Sequence, residues 1–291
     1  MERNCPFCNS LIKDHFVFCD KCGYKVDDYF KSNPIETPKE KASILKPLLG
    51  FISIFACYFY IFPVVAAVLY LIGNAIFPST FPNPDILTDE SYMLLNMILQ
   101  DVSNILTIGL IALIVIKRKQ IKEVLGLTKE NKKKSFLNTL KEGAITFGFM
   151  YAAMMVINII SIIAFPAIQE DSANQEIIND IILNYPIFGF ISVVIIAPVV
   201  EELVFRFMLC KPFEKVKKFL GIILSALIFG GIHLVASVQS GTLLDDLPTL
   251  IIYVAMGATL AYRYVKTDNV SSNIFAHAIY NTLAFIAILA A

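Results

Sequence analysis

Six polar side chains stand at helical spacing inside long apolar stretches of this 291-residue sequence. Glu201, Glu202 and Arg206 interrupt the run APVVEELVFRF, His233 closes FGGIH, and His277 precedes Asn281 by about one helical turn. Ionisable groups in apolar surroundings are costly and are therefore functional candidates by default. The chain has only three histidines, and two of them lie in these stretches. Carboxylates and imidazoles are the usual proton-transfer groups. One Glu with two His is also a donor set for a catalytic zinc that keeps an exchangeable position. Hydrogen-bonded core residues would account for a single buried histidine, but not easily for the whole set.

Glu202 and Arg206 share a helix face, with the acid N-terminal, which is the favourable order for an ion pair. Glu201 then points about 100° away around the helix. Pro198 cannot donate to the Val194 carbonyl, so the helix is expected to kink there and expose an acceptor. His277 and Asn281 share a face, as do Phe229 and His233, and Gly230 with Gly231 lets a neighbouring helix approach closely. Asp101 lies among apolar residues near Asn96 and Asn104, where a hydrogen bond to a neighbouring helix is its expected role.

A second constellation lies at the N-terminus. Cys5-Pro-Phe-Cys8 and Cys19-Asp-Lys-Cys22-Gly23 are two knuckles separated by ten residues, and together they supply four thiolates to a tetrahedral zinc ion. Gly23 permits the tight backbone that follows the second pair. Four sulfurs close the shell, so the zinc is structural, and His15 between the knuckles is left as a solvated loop residue. So small a module is expected to fold only with its metal. Cys57 and Cys210 lie in or beside apolar runs and read as small apolar residues.

The elements that position the polar set are membrane helices. Apolar residues make up 57% of the chain and fall in blocks that one soluble core could not hide. Seven segments qualify as spans: 48–77, 92–116, 136–165, 186–209, 219–238, 247–265 and 271–290. The expected fold is all-α, a polytopic transmembrane bundle of about seven spans behind a four-cysteine zinc ribbon. Its expected divisions are a ribbon at 1–28, a flexible linker at 29–46 and a membrane domain at 47–291. Residues 1–30 hold no apolar signal-peptide core.

Charge orients the bundle. The link 117–135 carries eight basic and two acidic residues, Lys211, Lys215, Lys217 and Lys218 mark a second basic link, and Arg263 with Lys266 a third. The alternate links carry Asp85, Asp89 and Glu90, then Glu170, Asp171, Glu176 and Asp180, then Asp245 and Asp246, with no Lys or Arg. Basic loops stay cytosolic, so the N-terminus is expected inside and the C-terminus outside, in the cell membrane. The stretch IKEVLGL within the first basic link is either a surface-lying segment or a solvated positive loop.

The ordered motifs Glu201-Glu202-x3-Arg206, Phe229-x3-His233 and His277-x3-Asn281 resemble the signature of the CPBP family, which includes the type II CAAX prenyl endopeptidases and the Abi bacteriocin-immunity proteins. The resemblance covers about residues 186–290, with LGL at 125–127 similar to an upstream feature. It implies a helical intramembrane protease cutting near the cytosolic face. By resemblance, Glu201, His233, His277 and Asn281 surround the catalytic water, while Glu202 and Arg206 hold the site together. The expected reaction has Glu201 take a proton from water, His233 position that water, and His277 and Asn281 donate to the water or the oxyanion. A catalytic zinc and a metal-free glutamate base both remain open, with the metal-free reading preferred because no His-Glu-x2-His helix occurs. The partners implied are membrane lipid, a membrane-associated peptide or protein substrate, and a cytosolic protein for the ribbon, with no nucleic acid. The rival readings are a non-catalytic adaptor or immunity protein on the same scaffold and, less favoured, a transporter.

Overall fold

The computed structural model describes residues 2–13, 17–26, 29, 45–117, 132–164, 171–214 and 217–291. His15, the segment 121–127 and nearly all of the 29–46 linker fall outside them. The chain divides into two compact units, Met1–Ala42 and Ser43–Ala291.

In the first unit, β1 (Glu2–Asn4) pairs antiparallel with β2 (Leu11–Lys13), Arg3 opposite Ile12. The two knuckles repeat one turn. Asn9 N–H donates to the Cys5 carbonyl and Gly23 N–H to the Cys19 carbonyl, both at 2.9 Å. Asn9 and Gly23 carry φ of +58° and +71°, the left-handed conformation that Gly and Asn adopt at least cost. Among the described residues of this unit, Cys5, Ile12, Cys19 and Val26 form the buried core, which is too little to fold without a further tie.

The second unit is helical. Leu45–Ala56, Cys57–Ile61 and Phe62–Ile76 run on as α1, followed by α2 (Asp89–Lys117), α3 (Lys132–Ala164) and the short α4 (Ala173–Asn184). Residues 186–214 form α5. After it come α6 (Lys218–Ile232), α7 (Val235–Ser240), α8 (Leu243–Asp246), α9 (Thr249–Thr267) and α10 (Val270–Ala290). Large apolar side chains such as Val64, Leu113, Ile162 and Ile163 face outward, as lipid requires and water penalises.

Among the described residues six helices, against the seven expected, are long and apolar enough to cross a membrane by length and composition. The exception is α9, whose Tyr253, Thr259, Arg263 and Lys266 dilute its apolar content. It nevertheless lies antiparallel along α6. A Cβ on Gly230 would meet the Val254 side chain at 2.5 Å, and one on Gly257 would meet the Ala226 Cα at 3.1 Å. Gly231 meets nothing within 4 Å, so only the first of the paired glycines serves the helix contact. The buried charge of α9 is tolerated because it is paired. Arg263, expected in a loop, is 2% exposed and pairs with Glu142 at 2.7 Å and Thr146 at 3.1 Å. The chain is a multi-pass membrane protein.

The helix α5 occupies the centre. Its segments Phe190–Ile196 and Glu202–Cys210 are wound as π-helix, and every residue of the second is buried. Sustained π winding is rare and concentrates at functional sites.

Candidate active site

The polar residues of α5 sort by winding. Ala197 N–H donates to the Ser192 carbonyl, five residues back. In that register the next carbonyl, Val193, would be met by residue 198, which is proline and has no N–H. The orphan is therefore Val193 rather than Val194, because the helix is π-wound and not α-wound there. Asn281 Nδ2 fills the gap, donating to the Val193 carbonyl at 2.8 Å. One amide N–H of Asn281 is thus engaged with α5.

Glu202 and Arg206 are both fully buried and paired, with Arg206 Nε 3.2 Å from Glu202 Oε2. Arg206 Nη1 donates to Ser225 Oγ at 2.8 Å, and its guanidinium lies 4.8 Å over the Phe229 ring. Asn273 Nδ2 donates to Glu202 Oε2 at 3.1 Å and to the Leu260 carbonyl at 2.8 Å. His277 Nδ1 lies 3.3 Å from Glu202 Oε1. Glu202 thereby ties α5, α6, α9 and α10 into one network.

Glu201, the neighbouring residue, points the other way into a cavity of about 1750 Å³. Its Oε2 lies 3.8 Å from His277 Nε2. His277 therefore bridges the two glutamates, one through each ring nitrogen. Its place in α10 follows from the Asn269 cap, whose side chain accepts from Ser272 N–H at 3.0 Å and starts the helix two turns earlier.

His233 sits where α6 stops, and the next turn tightens to three-residue hydrogen bonds from His233 N–H and Leu234 N–H. Its Nδ1 lies 2.7 Å from the Phe229 carbonyl. A carbonyl only accepts, so Nδ1 carries the proton and Nε2 presents a lone pair. Tyr253 stacks on the imidazole at 4.2 Å and accepts from Asn174 Nδ2 at 3.1 Å. Glu201, His233, His277 and Asn281 all line the one cavity, and Glu202 and Arg206 lie beneath it.

Three partners escaped the sequence reading. Asn273 had a usable signal, since it stands four residues before His277, as Asn281 stands four after. Tyr253 and Ser225 had none, because they reach the site through helix packing alone. Asp101 hydrogen-bonds to Ser192 on α5, as expected, and also lines the cavity.

The span that holds Glu201 is longer than expected. It runs Pro186–Phe213, four residues past the expected end, because basic Lys211 is covered by Asp268 at 2.7 Å and continues the helix. Glu201 is thus twelve residues from Phe213, near the middle of that span rather than close to its basic end.

At the N-terminus, Cys5 and Cys22 sulfurs lie 3.6 Å apart, as do those of Cys8 and Cys19. Four sulfurs at about 2.3 Å from one tetrahedral ion stand about 3.8 Å apart, so the spacing fits. Among the described residues, this is the one group of three or more His, Cys, Asp or Glu side chains arranged to hold a metal ion. Glu201, His233 and His277, weighed above as a zinc shell, do not gather that way. The Ser10 hydroxyl holds the Cys19 thiol down to about 6 and also lowers Cys8. Cys22 is pushed up to about 12, against the pull of the Tyr24 backbone, by desolvation and the neighbouring sulfurs. Four adjacent thiols do not all ionise without a cation between them.

Residues 183–283 match the family described as type II CAAX prenyl endopeptidase Rce1-like. A Bacillus subtilis (strain 168) protein named "Putative membrane peptidase YdiL" is 33% identical over 120 residues. That alignment spans 41% of this chain and 44% of the relative, less than half of either. No solved structure matches the chain. The match begins just before α5 and ends just after Asn281, so it encloses Glu201, Glu202, Arg206, His233, Asn273, His277 and Asn281. The six polar residues singled out from the sequence thus all lie within the stretch that is similar to the type II CAAX prenyl endopeptidase Rce1-like family.

Proposed function

We propose that the chain is an intramembrane endopeptidase that hydrolyses a membrane-associated peptide or protein with water activated by Glu201. The observation that carries this reading is the pairing of Glu201 with His277 at 3.8 Å on the wall of a large cavity inside the helical unit. That gap is too long for a direct hydrogen bond, yet a water at about 2.8 Å from both atoms fits beside it.

Glu201 accepts the proton of that water as the oxygen attacks the peptide carbonyl carbon. The carboxylic acid so formed then protonates the departing amine. His233 acts through the Nε2 lone pair, so it orients the water as an acceptor and is not an oxyanion donor. His277, held by Glu202 through Nδ1, turns its Nε2 towards the water and the developing oxyanion. Asn281 is chiefly a positioning residue, since one of its N–H groups is used on Val193 and only the second remains for substrate. Glu202 and Arg206 fix the floor that keeps Glu201 turned into the cavity.

The N-terminal unit is read as a structural zinc ribbon that docks a cytosolic protein. Its closed four-thiolate shell leaves no position for substrate. The membrane domain is read with its N-terminus cytosolic and its C-terminus outside. Comparing the peptides that accumulate uncut in cells carrying wild type and Glu201→Ala tests the reading. Glu201-dependent loss of cleavage of a membrane-associated peptide supports it, and identical peptide profiles refute it.

A further inference from the structure

The cavity lies on one side of the unit. Its lining comes from the first half of α2 (Tyr92 to Gln100), the second half of α3 (Asn158), α7 (Gln239), the start of α9 (Thr249) and the end of α10 (Ile288). Each of these positions is on the part of its helix nearer the acidic links, while Tyr58, Asn104, Met154, Met256 and His277 carry the lining inward to the middle of the bundle. The α4 helix, which belongs to the link carrying Glu176 and Asp180, supplies more of the wall. On the opposite side the cavity is stopped by Glu202, Arg206, Ser225 and Asn273, all of them 0% exposed. Glu201 stands at the boundary between the open part and this sealed layer.

Sequence charge assigns the two sides. Lys211, Arg263 and Lys266 stand on the helix ends beyond the sealed layer, and the links that carry Asp85, Asp171 and Asp245 contain no Lys or Arg. Basic loops remain cytosolic. The cut expected near the cytosolic face and the orientation expected from charge therefore do not agree with a cavity placed here.

We infer that the cavity is loaded from the non-cytosolic face, so that its substrates are peptide segments lying on, or already carried across to, that face. The statement about substrates rests on the peptidase reading; the statement about access does not. The α4 helix is the wall such a segment passes. Asp246 holds its first residue, accepting from Ala173 N–H at 3.1 Å, and Asn174 reaches Tyr253 behind His233.

Cysteine labelling tests the side of access without any cleavage. In a chain with Cys57→Ala and Cys210→Ala, which keeps the four ribbon cysteines, one further cysteine is introduced as Gln239→Cys or Gln175→Cys on the cavity wall, or as Lys217→Cys on the basic link, and labelling is read as the increase over that parent chain. Intact cells are treated with a membrane-impermeant maleimide, using variants that purify as one species. Both cavity-wall variants are expected to label in intact cells, and Lys217→Cys only after permeabilisation. The reverse pattern, with Gln239→Cys and Gln175→Cys protected until the membrane is opened, overturns the inference. Reporter peptides tethered on either face then separate the two readings. Glu201-dependent cutting of the outer reporter alone supports the inference, cutting of the inner reporter alone overturns it, and failure to cut any peptide counts against the peptidase reading instead.

Discussion

Replacing Arg206 by leucine removes the guanidinium that pairs with Glu202 and leaves that carboxylate fully buried. Glu202 keeps Asn273 at 3.1 Å and His277 at 3.3 Å, but loses the guanidinium at 3.2 Å. Ser225 loses its donor at 2.8 Å, and the Phe229 ring loses the cation above it. Breaking one side of a buried pair costs about 3–5 kcal/mol, mostly because the remaining charge is uncompensated. For a unit the size of Ser43–Ala291, that lowers the melting temperature by roughly 6–20 °C. Thermal unfolding of the purified protein in detergent reads this shift. The cycle is completed with Glu202→Leu and with the double variant. If uncompensated charge is the cause, the double variant is more stable than Arg206→Leu alone, with a coupling of about 2 kcal/mol or more. A double variant that loses the sum of the two single losses refutes the reasoning, and so does a loss below about 1 kcal/mol for Arg206→Leu.

The paired glycines of α6 separate by the same assay. Gly230→Ala drives a methyl into Val254 and is expected to cost about 1–3 kcal/mol. Gly231→Ala meets open space and is expected to leave stability unchanged or slightly raised. The ribbon is expected to bind one zinc per chain, measured by metal analysis, and Cys19→Ser to abolish it. Ser10→Ala returns the Cys19 thiol towards its ordinary 9.0, so protons compete with metal more strongly. Its zinc affinity is expected to fall below wild type between about pH 6 and 9 and to converge above that range, in titrations with a competing chelator. Asp246 carries the remaining pH prediction. Burial works against its charge, yet the Thr242 hydroxyl and Ala173 N–H hold its carboxyl below the usual value. The stability it adds is present at neutral pH and is lost as pH falls below about 4. Asp246→Asn is therefore expected to lower the melting temperature at pH 7 and to converge with wild type in acid.

Much of the site was legible because one-dimensional spacing survives in helices. Glu202 and Arg206 at four-residue spacing do pair, the cysteine knuckles do converge, and Glu201 does turn away from its neighbour. What escaped was whatever depends on winding or on helix neighbours. An α-register count names Val194 as the orphan of Pro198, whereas π winding moves it to Val193, which is why Asn281 is engaged there. Tyr253 and Ser225 carry no local signal, since only the packing of α6 between α5 and α9 brings them to His233 and Arg206. Arg263 was read as a loop charge because its partner Glu142 is distant in sequence and ordinary in local context. The end of the span that holds Glu201 was misjudged for a related reason. Lys211 appeared to end the span, but Asp268 neutralises it and the helix continues. The side on which the cavity opens needed every helix at once.

Purified protein in lipid nanodiscs, incubated with membrane-associated peptides found uncut in Glu201→Ala cells, gives the decisive rate. Wild type is expected to hydrolyse them, and Glu201→Gln to lower kcat by about 10²–10⁴-fold with KM little changed, as removal of a general base requires. Equal rates for the two proteins, with both folded to the same melting temperature, would contradict the assignment of Glu201 as the group that activates water.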